Sequence, residues 1–255
     1  MPNILPIIIL YNSKAGKGRA VHIVDFIIKK LTGIGVSFNS YDKQWPEQLS
    51  EYKEVWLVGG DGTLNFFINK YPDCKIPVAL FKGGSGNDFA WKLYGNIKTE
   101  AYFETALNGR IVFTDAGCCN SRLFINGAGV GFDGETVRNM GAKKFLSAGH
   151  IAYLIVVVKT IFKYRESKMK VCFNDKVLQK EYLMITIANG SRYGGGFMVA
   201  PQADIFDGNL DVIFCDKLNV IKRLINLPKI EKGIHLELPF VNYTTAKQIS
   251  IETQF

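Results

Sequence analysis

Three short glycine-bearing stretches hold the residue types that handle phosphate. The most pointed is Val55–Asn65, VWLVGGDGTLN. Val55 to Val58 read as a short buried strand, Gly59-Gly60 breaks it, and a helical pattern starts at Leu64. A strand that stops on glycines and turns into a helix presents free backbone N–H groups, a natural seat for an anion. Glycine also lets the backbone approach that anion closely. Asp61 is the odd member, because a carboxylate repels phosphate. It fits if it binds the phosphate's counter-cation, polarises a hydroxyl, or caps the helix. Taken alone, GGDGT is also explained by a plain strand-to-helix turn with Asp61 or Thr63 as N-cap.

Two further stretches have the same character. Asn12-Ser13-Lys14-Ala15-Gly16-Lys17-Gly18 follows the apolar run Ile7–Tyr11, and Lys14 and Lys17 could meet phosphates. It is not a P-loop, since G-x-x-x-x-G-K-[ST] is absent. Lys82–Ala90, KGGSGNDFA, offers glycines, the Ser85 hydroxyl and the Asn87 amide around a ligand, with Asp88 placed to cap the next helix. Later, Gly194-Gly195-Gly196 leads into Pro201–Asp211, PQADIFDGNLD. Acidic residues and turn carbonyls this close together suit a hard, oxygen-seeking cation. A β-turn at Asp207-Gly208 needs no metal.

The elements that must position these stretches alternate in the first half. Strands are expected at Ile7–Tyr11, Val36–Tyr41, Val55–Val58 and Ile76–Phe81. Helices are expected from Arg19 (Val21, Val24, Ile27, Ile28 and Leu31 on one face), after Tyr41 through Glu54, from Leu64, and over Thr99–Leu107. Each glycine loop follows a strand, which predicts a parallel sheet with the loops gathered at the strand C-terminal ends. From about Ile111 the texture changes to short alternating segments: Ile111–Gly117, Arg122–Ala128, Lys168–Phe173, Leu183–Ala188 and Leu210–Phe214. An apolar helix over Ile151–Phe162, a helix over Lys217–Leu227 and a strand over Ala246–Glu252 complete this half. The reading is a two-domain chain: an α/β domain over 1–115 and a β-rich antiparallel sandwich over 116–255.

The 255 residues suit one large or two small domains, and a 47% hydrophobic fraction is ordinary for a globular chain. The net charge of +8 is uneven. Residues 1–117 hold 13 Lys and Arg against 11 Asp and Glu, and the remainder hold 18 against 12. The second half therefore favours an anionic partner such as nucleotide phosphate or an acidic membrane surface. The charges are dispersed, without the basic runs of a nucleic-acid tail. Five cysteines, odd in number and without C-x-x-C, read as reduced core thiols of a cytosolic protein. No His/Cys metal cluster is visible. The apolar N-terminus lacks the basic region and cleavage site of a signal peptide, and Ile151–Val158 is shorter than the ~20 apolar residues a bilayer span needs.

These residues together resemble the catalytic domain of the diacylglycerol kinase family, especially its soluble bacterial lipid kinases. The likeness rests on Asn12…Gly16…Gly18, Gly59-Gly60-Asp61-Gly62-Thr63-Leu64-Asn65, Gly84-Ser85-Gly86-Asn87-Asp88-Phe89-Ala90, Gly131-Phe132-Asp133, and Gly194-Gly195-Gly196…Pro201-x-Ala203…Asp207-Gly208-x-Leu210-Asp211. It implies an NAD kinase/phosphofructokinase-like α/β nucleotide domain and a β-rich domain holding the lipid. It implies transfer of the ATP γ-phosphoryl group to a lipid hydroxyl such as that of diacylglycerol, in phospholipid metabolism. By the same resemblance Asn12, Ser40, Gly59, Gly60, Asp61, Gly62, Thr63, Asn65, Ser85 and Asn87 bind the nucleotide. Asp61 organises the catalytic Mg²⁺, and Asp204, Asp207 and Asn209 hold a structural Mg²⁺, partly through carbonyls. The implied partners are ATP, a lipid alcohol and a membrane surface touched peripherally from the cytoplasm, with no nucleic acid. Oligomeric state is left open, a homodimer among the options.

The chain departs from the family pattern at four places. Ser13 stands where Pro is usual, Lys82-Gly83 where Pro-Leu is usual, and Phe66 where a Glu follows the Asn of GGDGTxN. The family's general base, a Glu in a late Asp-Gly-Glu motif, is not reached before Phe255, so a truncated second domain is expected. Asp133-Gly134-Glu135 has the same letters but lies too early, and takes no base role. Two alternatives stand beside the lipid kinase: a non-catalytic nucleotide- or lipid-binding relative, motivated by Phe66 and the missing base, and an NAD kinase, motivated by GGDGT.

Overall fold

The computed structural model describes residues 5–141 and 149–253. The chain divides into two compact units, Met1–Phe113 and Thr114–Phe255.

The first unit alternates strand and helix: β1 (Ile7–Tyr11), α1 (Arg19–Gly33), β2 (Phe38–Asp42), β3 (Glu54–Gly59), α2 (Asp61–Lys70), β4 (Val78–Lys82), α3 (Asp88–Tyr94) and α4 (Thr99–Asn108). The strands form one parallel sheet in the order β2-β1-β3-β4. Ile7, Ile9, Trp56, Val58 and Phe81 pack against Ile23, Val24, Ile27 and Leu31 of α1 and Tyr102 and Phe103 of α4. Ile8, Leu10 and Leu57, pointing to the other face, are equally buried. Burial on both faces is why β1 and β3 are unbroken apolar runs rather than alternating ones. Because all four strands are parallel, Tyr11, Asp42, Gly59 and Lys82 end at the same edge.

The second unit is the expected antiparallel β architecture. It contains β5 (Gly117–Cys119), β6 (Arg122–Phe124), β7 (Gly127–Gly131), α5 (Phe132–Gly141), α6 (Gly149–Lys163), β8 (Ser167–Phe173), β9 (Lys176–Ala188), β10 (Leu210–Asp216), α7 (Val220–Glu231), β11 (Val241–Ala246) and β12 (Ile249–Thr253). The order is β11-β10-β9-β8-β12, every pair antiparallel, with β7 also on β9; β5 and β6 form a separate ribbon. The 13-residue β9 is long enough to seat β8 on its first half and β7 on its second. Met169, Val171, Tyr182, Ile185, Val212 and Phe214 form its main core.

Several expectations change. No helix follows β2: residues 43–53 run irregularly. Trp45, Leu49 and Tyr52 are buried at helical spacing, but Pro46 and the left-handed Lys43 break the backbone. Trp45 Nε1 donates to the Tyr11 carbonyl and Tyr71 Oη to that of Pro46, so side-chain anchors replace a helix. Ile111, Val112 and Phe113 are exposed and unpaired, and only Gly117 of the segment 111–117 enters a strand. The strand expected over Ala246–Glu252 is a hairpin, split by the turn between β11 and β12. Of the five cysteines only Cys215 is buried; Cys118 and Cys119 are exposed on β5, in the separate two-stranded ribbon.

One buried ion pair organises the helices of the second unit. Arg223 of α7 lies 2.6 Å from Glu166, both side chains nearly inaccessible. The same guanidinium donates to the carbonyls of Leu218, Ile161 and Tyr164, tying the end of α6 to the start of α7. Removing one partner strands the other charge in the interior at a cost of about 3–5 kcal/mol. Arg223→Ala is therefore expected to lower the unfolding free energy of the second unit, measured by urea denaturation, by that much; a loss below about 1 kcal/mol, the scale of an exposed pair, would show the pair to be solvent-screened.

Candidate phosphate-binding site

The parallel sheet brings the three glycine loops to one edge, and the glycines let them touch. A Cβ on Gly16 of the first loop would overlap the carbonyl oxygen of Gly83 in the third. A Cβ on Gly60 of the second would lie 2.9 Å from Gly84 Cα, and one on Gly84 would overlap Gly60 Cα. Arg19, at the start of α1, reaches across to donate to the Gly84 carbonyl at 3.1 Å. Within the third loop Asn87, in the left-handed region, accepts from Gly84 N and donates to Gly84 O, both at 2.8 Å. Asn, which tolerates that region, can thus close the loop on itself.

Asp61 does something the sequence did not reveal. Its two carboxylate oxygens accept the amides of Asp88 and Phe89, at 3.0 and 2.9 Å. It therefore caps α3 from outside, where Asn87, the residue at the N-cap position, makes no side-chain cap. The expected cap of α2 by Asp61 or Thr63 is absent: Gly60 holds the N-cap position without a side-chain bond. Thr63 is buried against Gly59, whose missing Cβ makes room for it. Gly62, in the first turn of α2, faces open space, with nothing within 4 Å of where a Cβ would sit. The α2 N-terminus is therefore open for an anion while the α3 N-terminus is taken.

The remaining expected residues fall as follows. Asn12 Oδ1 accepts from Lys14 N, shaping the first loop, where Gly16, Lys17 and Gly18 are all left-handed; Lys14 and Lys17 stay exposed. Ser85 is exposed at the tip of the third loop. Ser40 is exposed on β2, paired in register with Ile9, and Asn65 lies a turn along α2 with its carbonyl bonded to Asn69. The departures have local uses. Ser13 N donates to Asp42 Oδ1 at 2.9 Å, a bond proline cannot make. Burial pushes the Asp42 carboxyl up, but the Ser13 bonds and Lys43 outweigh it and hold it below the usual range. Lys82 Nζ donates to Gly95 O over the Tyr102 ring, and Phe66 sets its ring edge-on to Trp45.

In the second unit Asp204 Oδ1 accepts Phe206 N and Asp207 Oδ1 accepts Asn209 N, while Asn209 Nδ2 donates to Asp207 O. Asp115 Oδ2 accepts Gly208 N at 2.7 Å, an acidic residue of this turn that its distance in sequence concealed. Among the described residues no group of three or more His, Cys, Asp and Glu stands ready for a metal ion. Asp133 is buried and accepts Tyr193 Oη at 2.6 Å; burial raises its carboxyl, against that bond. Glu135 is bonded to Arg138, which lowers it.

A parallel sheet with three interlocked glycine loops at its C-terminal edge, followed in the chain by an antiparallel β unit, defines a two-unit α/β-plus-β class of protein. Residues 6–119 match the diacylglycerol kinase catalytic domain and residues 127–255 the YegS C-terminal NAD kinase beta sandwich-like domain. The chain belongs to the diacylglycerol kinase family, a family of lipid kinases. It is 24% identical to the diacylglycerol kinase of Staphylococcus carnosus over 96% of this chain and 84% of that one. It is 26% identical to that of Bacillus subtilis over 80% of this chain and 68% of that one. A solved diacylglycerol kinase from Bacillus anthracis superposes with a TM-score of 0.72 at 19% identity, over 100% of this chain and 88% of that one. Another solved chain from the same organism gives 0.80 at 21%, over 100% of this chain and 87% of that one. At that identity the superpositions speak for the fold.

Gly84→Ala is expected to force the second and third loops apart, since the new methyl meets backbone rather than a movable side chain. The α2 and α3 N-terminal amides should then exchange at least tenfold faster with deuterium. Unchanged exchange at both would show that the loops do not depend on this contact. Asp61→Ala should cost about 1–2 kcal/mol of stability through the lost cap alone, read as a lowered urea midpoint of the first unit.

Proposed function

We propose that the protein transfers the γ-phosphoryl group of ATP to the hydroxyl of a membrane lipid such as diacylglycerol. The observation that carries this reading is the interlocking of the Gly16, Gly60 and Gly84 loops at the C-terminal edge of a parallel sheet, in a chain of this family. Phosphoryl transfer asks for positioning and charge neutralisation more than for covalent chemistry, and glycine backbone amides provide the first. Mg²⁺ bound with ATP supplies the second.

The chain's own residues fit that group. The open α2 N-terminus at Gly62 and the left-handed Gly16-Lys17-Gly18 run suit phosphate oxygens, with Lys14 and Lys17 adding charge. Asp61, at the start of α2 beside that open terminus, suits a hydrated cation as well as the α3 amides. In the 204–209 turn, Oδ2 of Asp204 and of Asp207 lies outside the local turn bonds and suits a structural Mg²⁺. Neither Asp133, buried against Tyr193, nor Glu135, held by Arg138, takes the part of general base.

Radiolabelled ATP offered with diacylglycerol, sphingoid bases and other lipid alcohols tests the reading. Label in a lipid phosphate is expected, and Asp61→Asn, which keeps an acceptor for one α3 amide, should lower kcat by about a hundredfold or more while the chain stays folded, destabilised by no more than the about 1–2 kcal/mol of the lost cap. ATP binding without transfer to any alcohol overturns the reading, and phosphorylation of NAD instead would replace it. For the second cation, Mg²⁺ should raise the melting temperature of the wild type and not of Asp207→Ala. An equal shift in both would remove the 204–209 turn from the metal's ligands.

A further inference from the structure

α2 carries an exposed aromatic ring beside its open end. Phe66 stands where a Glu is usual in the family, and it is 55% exposed. Core packing does not account for the ring, because Leu64 and Phe67 form the buried face of α2. Phe66 lies four residues after Gly62, so the two share one face of the helix. Side chains on a helix lean toward its N-terminus and cover the preceding turn. The turn that a side chain at 66 covers is therefore the first of α2, where Gly62 leaves the surface open. The ring is held from one side. Trp45 meets it edge-on with ring centres 5.2 Å apart, and an edge-on contact covers at most one face of a ring. Trp45 is itself fixed: its Nε1 donates to the Tyr11 carbonyl at 3.3 Å, and its ring lies parallel to that of Tyr71, whose Oη donates to the Pro46 carbonyl. Lys70 of α2 pairs with Glu47. Residues 45–47 are thus pinned to α2 as a pedestal for the ring. Tyr11 ends β1, directly before the Asn12 loop. The pedestal therefore touches both the strand that feeds the first glycine loop and the helix that starts at the second.

A ring with a free face beside a polyphosphate seat suits a flat partner attached to the phosphates. A nucleobase has such a face, and stacking it on an aromatic side chain is worth about tenfold or more in affinity. The glycerol and acyl chains of a lipid alcohol offer no flat face. A carboxylate at the same position would repel the phosphates instead. We propose that Phe66 is the stacking platform for the nucleobase of the ATP whose phosphates the glycine loops hold. This deepens the lipid-kinase reading and rests on it for the identity of the nucleotide. Because every base has a π face, the platform favours a nucleoside triphosphate over a bare polyphosphate and discriminates little among the bases.

The test is isothermal titration of the whole chain, without lipid, with the Mg²⁺ complexes of ATP, GTP and inorganic tripolyphosphate. Phe66→Ala should weaken ATP and GTP by about tenfold each and leave tripolyphosphate within about twofold. Phe66→Trp should bind ATP at least as well as the wild type. Phe66→Leu, which keeps an apolar side chain against Trp45 but has no π face, should behave as Phe66→Ala does, and it carries the comparison if the alanine variant does not fold. A ring that only supports the first turn of α2 would weaken all three ligands together when removed, and that result overturns the proposal. Unchanged ATP affinity in both Phe66→Ala and Phe66→Leu also overturns it. So does a rise in KM confined to detergent-dispersed diacylglycerol, which would assign the ring to the alcohol. A chain whose ATP binding depends on Phe66 but that phosphorylates no alcohol overturns the kinase reading and leaves the platform standing. A chain that phosphorylates diacylglycerol with the same KM for ATP in the wild type and in Phe66→Leu does the reverse. Failure of the wild type to bind any of the three ligands overturns both.

Discussion

Asp61 accepts the amides of Asp88 and Phe89, and through that pair of hydrogen bonds the second glycine loop holds the third. The other constraints of the first unit follow from keeping this junction close. Gly60 and Gly84 must lack side chains for the backbones to meet, and Gly16 must lack one to lie on Gly83. The carboxylate satisfies the α3 N-terminus and so removes it from competition for anions, leaving the neighbouring α2 N-terminus as the open one. A residue first singled out as a carboxylate beside a phosphate-type loop thus has an architectural duty as the cap of α3.

The parallel sheet makes the junction possible. Strands buried on both faces leave little register freedom, and their common direction delivers Tyr11, Gly59 and Lys82 to one edge. The second unit follows a different logic, in which a long central strand carries neighbours on both sides and a buried Arg223–Glu166 pair fixes the helices. The buried pair offers direction rather than much stability, since its gain is largely offset by desolvation.

Much of this was legible in the residues. Apolar runs at Ile7–Tyr11 and Val55–Val58 announced buried strands, and the glycines after them announced the loops, because only glycine suits such close backbone contact. The periodicity of α1 was plain, and the change of texture near Ile111 marked the antiparallel half. What failed did so for identifiable reasons. Trp45, Leu49 and Tyr52 mimic a helical face, but Pro46 and side-chain bonds to Tyr11 and Tyr71 hold the segment irregular. Ile111, Val112 and Phe113 are strand-forming residue types, yet they lie exposed and outside any strand. The capping role of Asp61 and the reach of Asp115 to Gly208 span 27 and 93 residues, beyond any local pattern. Ser13 looked like a loss of the usual proline, and only the structure shows the bond to Asp42 that the change allows.

The central claim is that the three loops act as one receptor for a triphosphate. Amide hydrogen exchange with and without Mg·ATP tests it most directly. The account predicts that amides in Asn12–Gly18, Gly60–Thr63 and Gly83–Asn87 gain protection together, over the same range of nucleotide concentration. Protection confined to one loop, or appearing only elsewhere in the chain, would contradict it.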